Sequence, residues 1–374
     1  MSSDLFKLSC KNFRSYRALF LDFSSKFVVF FGENGAGKTN ILEAISLFSS
    51  GRGLRKALLS DLNTISTPAS SWKLELATNQ NGYKTFLSTY AQNGRRIANI
   101  DGTSAPSLAK IDEILWLLWI IPSMDNLFID SMSDRRSFFD HLVSGYDRAH
   151  KDRLKKISSL QKERLHVIFF RKDETWLQIL EQKIAEESVE VIKSRREFIK
   201  LLNETYIQYS SDFLRPIVDV SGTIEKILET NDEENSILEI MELLKNNRFI
   251  DSEKQTTSVS VQKSIWDAYH PISNLKAENC STGEQKAFII SLILAVTRIH
   301  KNIKSGTPVL LLDDLMVHLD KNRRSSLINE LISLDIQTFF TGTDAYLFED
   351  LKDIAQMYRV EKSICTETIS KKNL

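Results

Sequence analysis

Gly32-Glu33-Asn34-Gly35-Ala36-Gly37-Lys38-Thr39 decides the fold, because it satisfies GxxxxGK[ST] at every fixed position. The apolar run Phe27-Val28-Val29-Phe30-Phe31 precedes it, and Ile41, Leu42, Ile45 and Phe48 follow at helical spacing. Strand, glycine loop and helix in that order make an anion cradle. Glycines let the backbone N–H groups turn inward, Lys38 reaches the terminal phosphates, and the Thr39 hydroxyl ligates Mg²⁺. The helix adds the positive end of its dipole. The stretch Gly32 to Thr39 is therefore expected to bind a nucleoside triphosphate such as ATP, with Lys38 also serving catalysis.

Such a loop needs a carboxylate at a neighbouring strand end. Val309-Leu310-Leu311-Leu312-Asp313-Asp314 supplies one. Asp313 is expected to hold Mg²⁺, directly or through water, and Asp314 to orient or deprotonate the attacking water. Taken alone, the run also describes a buried strand meeting a solvated acidic turn; Lys38 and Thr39 in the same chain favour the nucleotide reading. The separation of 275 residues between Lys38 and Asp313 (313 minus 38) far exceeds that of a simple phosphate-loop domain. Within it, Ser281-Thr282-Gly283-Glu284-Gln285-Lys286 opens the apolar segment Ala287 to Val296. A serine and a glycine at a helix start make a second anion cradle. In ABC-type ATPases a signature of this kind binds the γ-phosphate of ATP held by a second subunit, which gives Ser281 a catalytic role and Gly283 a binding one. Leu319-Asp320 occupies the place of that superfamily's D-loop.

The formal charge is zero, from 49 basic and 49 acidic side chains, so any nucleic-acid surface must be local. Residues 148 to 172 hold nine Lys or Arg against two Asp or Glu, which suits phosphates or a solvated helix face. Glu225 to Glu242 is acidic by seven to one. The scattered Cys10, Cys280 and Cys365 and six unclustered histidines suggest neither a disulfide framework nor zinc. No secretory pattern opens the chain, and the apolar run Ile114 to Ile121, taken as a buried strand, is too short to cross a bilayer. A cytoplasmic protein without a membrane partner is expected. Trp116 and Trp119 are assigned to the core, and Arg135 and Arg136 to ion pairs or to nucleotide or DNA contact.

Between Gly145 and Gly283 the only glycine is Gly222, so that region can carry long helices. Leu177, Leu180, Ile184, Val191, Phe198 and Leu202 form a helical stripe through Glu174 to Tyr209, and Arg148 to Phe170 repeats it through Leu154, Ile157 and Ile168. An antiparallel helical pair is expected. Earlier, alternating runs at Trp72 to Ala77, Tyr83 to Tyr90 and Arg95 to Ile100 are separated by Asn81-Gly82 and Asn93-Gly94 and followed by Asp101-Gly102, as in a β-meander. The expected division is a head part at 1–145, an inserted mainly helical lobe at 146–265 and a second head part at 266–374.

Four further segments bear on family. They are Leu8-Ser9-Cys10-Lys11-Asn12-Phe13-Arg14-Ser15-Tyr16; Ser50-Gly51-Arg52-Gly53-Leu54-Arg55-Lys56-Ala57 with Asp61-Leu62; Arg95-Arg96-Ile97 with Asp101-Gly102; and Asp134-Arg135-Arg136-Ser137-Phe138-Phe139-Asp140. Together with the nucleotide motifs they resemble the RecF family of bacterial recombination mediators, related to SMC heads. The resemblance implies an α/β fold, an ABC/SMC-type P-loop ATPase head with an antiparallel β-meander and an inserted helical lobe. It places Arg14 and Ser15 at positions that touch ATP in SMC-like heads. It also implies an ATP-dependent homodimer, contact with single-stranded and gapped double-stranded DNA, and RecR and RecO partners in DNA repair, replication and the SOS response. Departures exist. Ser260-Val261-Gln262-Lys263 stands where the family has Gly-Pro-His-Arg, Asp130-Ser131-Met132 lacks the usual Gly and Pro, and Thr341-Gly342-Thr343-Asp344 replaces a transporter ATPase's switch histidine. A transporter subunit is disfavoured on this and on the non-matching signature. An ATP-binding structural clamp with little hydrolysis stays open, because Asp314 replaces the Glu common in ABC ATPases. A nuclease of the OLD type would need a further domain, for which the sequence after Thr343 is too short.

Overall fold

The computed structural model describes residues 3–64, 71–80, 82–171, 173–303 and 308–368. The chain forms two compact units: one from 1–124, 211–213 and 300–374, the other from 125–210 and 214–299.

The first unit contains both six-stranded sheets. In one, the order is Ile364–Thr368, Ala355–Glu361, Phe27–Phe31, Thr338–Gly342, Val309–Leu312 and Leu117–Ile120. All but the first pair run parallel, and their near-continuous apolar sequences follow from burial on both faces. Phe27–Phe31 lies centrally, so the glycine loop leaves the sheet beside the end of Val309–Leu312, with only Thr338–Gly342 between them. The run Ile114 to Ile121 is only partly a strand: Ala109–Ile114 is helical, the strand is Leu117–Ile120, and Trp116 stacks on His300 at 4.5 Å.

The other sheet is wholly antiparallel, ordered Tyr16–Asp22, Ser3–Phe13, Lys73–Gln80, Tyr83–Gln92, Arg95–Ile100 and Thr103–Ser104. Asn93 and Gly94 both have positive φ, which makes the two-residue turn whose twist matches its strands. Asp101-Gly102 does the same. In the first of the expected turns, Asn81 lies outside the described residues.

In the second unit the helix Glu174–Gln208 buries Leu177, Leu180, Ile184, Val191, Phe198 and Leu202, the whole predicted stripe. His150–His166 packs against it in the opposite direction, as the pairs Lys156–Glu187 and Arg164–Glu181 require. That helix ends earlier than its sequence stripe suggests. Val167–Arg171 widens into a π turn, where consecutive β-branched and aromatic residues crowd an α turn. Arg164 is fully buried between Glu181 and Asp251. Thus part of the basic charge is matched within the lobe: Arg153 pairs with Asp147 and Glu190, Lys156 with Glu187, and Arg164 with two carboxylates. No described helix is long and apolar enough to cross a membrane.

Candidate functional site

The phosphate loop connects the strand Phe27–Phe31 to the helix Lys38–Ser46. Gly32 has φ 150°, and a Cβ there would lie 2.2 Å from the Val360 carbonyl oxygen. Only glycine lets the loop leave the sheet so close to that strand. At Gly37, φ 113°, a Cβ would come within 2.8 Å of the Tyr16 hydroxyl and 3.1 Å of Ser15 Oγ. Tyr16 is buried and donates to the Gly37 carbonyl at 3.1 Å, and Asn40 Nδ2 donates to Ser15 Oγ at 2.9 Å. Ser15 therefore lies against the cradle. Asn34, Gly35 and Ala36 form its rim, where Ser363 N–H donates to the Ala36 carbonyl at 2.9 Å.

Lys38 is buried, and its ammonium donates to the Gly32 and Glu33 carbonyls at 2.8 and 2.9 Å. Burial lowers its pKa against the opposing pull of Asp314 and Asp313. A desolvated ammonium in this position gains from an incoming phosphate. Thr39 Oγ1 donates to Asp313 Oδ1 at 2.9 Å, although 274 positions separate them, and Thr341 Oγ1 donates to the same oxygen at 2.7 Å. Burial pushes the Asp313 carboxyl up, with these two hydroxyls opposing it and the neighbouring Asp314 charge reinforcing it. Asp314 adopts a left-handed backbone, φ 48°, and its N–H donates to Thr341 Oγ1 at 2.8 Å. Its Oδ1 is buried without a hydrogen-bond partner. A cation or water is the natural complement of such an oxygen.

These donors fit Mg²⁺, which takes oxygen ligands and retains several waters. A hydroxyl and a carboxylate in contact, next to an unsatisfied carboxylate oxygen, are what a phosphate-bound Mg²⁺ requires. Among the described residues no cluster of His, Cys, Asp and Glu offers a separate metal cage.

Arg14 is held by Glu43 of the loop helix through two hydrogen bonds, at 2.8 and 2.6 Å, and donates to the Asp61 carbonyl at 2.8 Å. Arg55 meets the same carboxylate at 3.4 Å. Ser281 and Gly283 belong to the second unit, at the start of the helix Thr282–Ile303. Ser281 N–H donates to Glu284 Oε2 at 2.8 Å while Glu284 N–H donates to Ser281 Oγ at 3.3 Å, a reciprocal capping box. Ser281 Oγ also donates to Glu284 Oε2 at 2.8 Å, and this bond together with that from Ser281 N–H lowers the Glu284 pKa. Asp320 caps the helix Lys321–Leu334 by accepting from Arg323 N–H. Arg135 is buried and paired with Asp267 at 2.9 Å, and Arg136 donates to the Ser264 carbonyl at 3.1 Å. Arg135 thus serves the fold of the second unit, whereas Arg136 is held by a single backbone carbonyl.

Tyr16, Thr341, Glu43 and Arg55 were not assigned from sequence. Thr341 had a legible signal, since it ends the apolar run beginning at Ile336 as Asp313 ends its own. Leu312 pairs in register with Phe340, which puts the next residues of the two strands side by side.

The family model described as RecF/RecN/SMC N terminal domain matches residues 4–366. The "DNA replication and repair protein RecF" of Rhizobium leguminosarum bv. trifolii is 33% identical over 365 residues, covering 95% of this chain and 96% of that one. Two solved structures of the recombination mediator protein RecF in the RecFOR pathway, labelled RecF-ATPrS and RecF-ATP, superpose with TM-scores of 0.84 and 0.83; each is 21% identical and covers 98% of this chain and 99% of its own. With the phosphate loop, its Asp313 partner and the capped signature helix in place, the chain belongs to the RecF family of the RecF/RecN/SMC class.

Proposed function

We propose that the chain is an ATP-dependent, DNA-binding recombination mediator of RecF type that dimerises on ATP. In each closed dimer one protomer holds ATP with the loop Gly32 to Thr39, and the partner caps its γ-phosphate with the hydroxyl of Ser281 and the backbone at Gly283. Each protomer contributes both halves, so two ATP molecules are shared. Thr39 and Asp313 would hold Mg²⁺, which when bound would supply positive charge to the triphosphate. Lys38 then exchanges its carbonyl partners for phosphate oxygens. Asp314 accepts a proton from, or orients, the attacking water; a short carboxylate in a left-handed turn suits slow turnover. The closed dimer acts at single-strand gaps or double-strand/single-strand junctions with RecR and RecO type partners, in the cytoplasm, and hydrolysis reopens it.

The observation that carries this reading is the contact of Thr39 and Asp313 beside the unsatisfied Asp314 Oδ1. Family membership supports the DNA-repair context. ATP turnover with and without gapped DNA, on the native chain and Asp314→Asn, tests the enzyme step. DNA-stimulated turnover that the substitution reduces by about a hundredfold is expected. Equal and negligible turnover in every case would instead identify an ATP-binding clamp with little hydrolysis.

A further inference from the structure

Ser260, Gln262 and Lys263, three residues of the departure Ser260-Val261-Gln262-Lys263, line one wall of a cavity of about 440 Å³ within the second unit. Arg136, Ser137 and Asp140 come from the helix Met132–Tyr146, Leu154 and Gln161 from His150–His166, and Thr256 and Thr257 complete the lining.

Apart from the apolar Leu154 and the carboxylate Asp140, the side chains lining this cavity carry donors. Among the described residues neither Arg136 nor Lys263 forms a salt bridge, and Lys263 is exposed while Arg136 is half-buried. Thr257 is only 4% exposed, and its hydroxyl has no hydrogen-bond partner. Ser260, also buried, accepts from Gln262 N–H at 3.0 Å and Gln161 Nε2 at 2.8 Å, which leaves its own proton for another acceptor. The one carboxylate, Asp140, is already engaged. Arg195 donates to both its oxygens at 2.9 Å, and His150 Nε2 lies 3.0 Å from one of them. A buried hydroxyl without an acceptor, next to an unpaired Lys263 and to Arg136, whose one nearby carboxylate Asp140 is already engaged by Arg195, is a site short of negative charge. Burial lowers the Arg136 pKa, partly offset by Asp140, so a new anion would favour its charged form.

We propose that this cavity binds a phosphate ester of nucleotide size, with Arg136 and Lys263 supplying charge and Thr257 and Ser260 donating hydroxyl hydrogen bonds. Its volume admits a mononucleotide rather than a bare ion. The same chemistry is presented by a free nucleotide and by the 5′-phosphorylated end of a DNA strand. The site is distinct from the phosphate loop, which belongs to the other unit.

The test uses the full chain carrying Lys38→Ala, which silences the phosphate loop. Titrations with deoxyadenosine, deoxyadenosine 5′-monophosphate, and one short single strand with and without a 5′-phosphate would be followed by calorimetry. The monophosphate, the phosphorylated strand, or both should bind, and their unphosphorylated counterparts should bind at least about tenfold more weakly. Monophosphate binding identifies a free nucleotide as sufficient; binding of the phosphorylated strand alone identifies a DNA end. Lys263→Glu, at an exposed position, and Thr257→Val should each weaken that binding by about tenfold. The native chain saturated with a non-hydrolysable ATP analogue should show the same second event. Absence of phosphate-dependent binding in both backgrounds, or binding indifferent to Lys263→Glu, would overturn the proposal.

Discussion

At the scale of single residues, Gly32 and Asp313 constrain the nucleotide site more tightly than its motif does. Gly32→Ala would place a methyl group 2.2 Å from the Val360 carbonyl in a conformation rarely open to L side chains. A loss of at least about 2 kcal/mol of stability, measured by urea unfolding, is expected together with loss of ATP binding. Asp313 behaves oppositely. Its folded pKa is raised, chiefly by burial, so its ionisation costs stability: the favourable contribution is present below the ordinary carboxylate pKa and lost as pH rises through the folded value. Asp313→Asn, which keeps an acceptor for Thr39 and Thr341, should therefore melt higher than the native chain at neutral pH without ligand. It should also lose ATP turnover. A lower melting temperature would show that the carboxylate is needed for the fold rather than held at its expense.

At the scale of elements, the second unit rests on two buried charge clusters. Arg164, between Glu181 and Asp251, is the more enclosed, since all three side chains are almost fully buried. Arg164→Leu deprives the buried Asp251 of its cation, leaves Glu181 to Arg248 alone, and should cost about 3 to 5 kcal/mol in denaturant unfolding. A change under about 1 kcal/mol would mean that the carboxylates find other partners or protons. At Asp140 burial pushes the pKa up, but Arg195 and His150 outweigh it and leave it below its ordinary 3.8. Stability from this group is thus present above pH 3.8 and lost as pH falls through the folded value, so Asp140→Asn should flatten the acid limb of the unfolding profile.

These elements also show what sequence can and cannot disclose. Leu177 to Leu202 declared its helix because one buried face imposes a 3.6-residue period, and Asn93-Gly94 declared its turn because few residues accept positive φ. Tyr16 beneath Gly37, Glu43 between Arg14 and Arg55, and Thr341 beside Asp313 are contacts between segments distant in the chain. No local pattern encodes the first two, and Thr341 is legible only as the residue that ends its apolar run. The run Ile114 to Ile121 misled because continuous apolarity describes a helix end and a strand equally well.

For the whole molecule, the decisive question is whether the signature serves a second copy. Ser281 is both a helix cap and the proposed γ-phosphate ligand, and Ser281→Asn separates these roles because asparagine also caps well. That variant should unfold within about 0.5 kcal/mol of the native chain yet fail to associate on ATP. An Asp314→Asn chain, by contrast, should bind ATP and retain it. Light-scattering mass of that chain with Mg²⁺ and ATP tests the shared site most directly: the 42.9 kDa protomer should become a dimer with ATP and return to monomer when Ser281→Asn is added. A particle that binds ATP and stays at 42.9 kDa would contradict it.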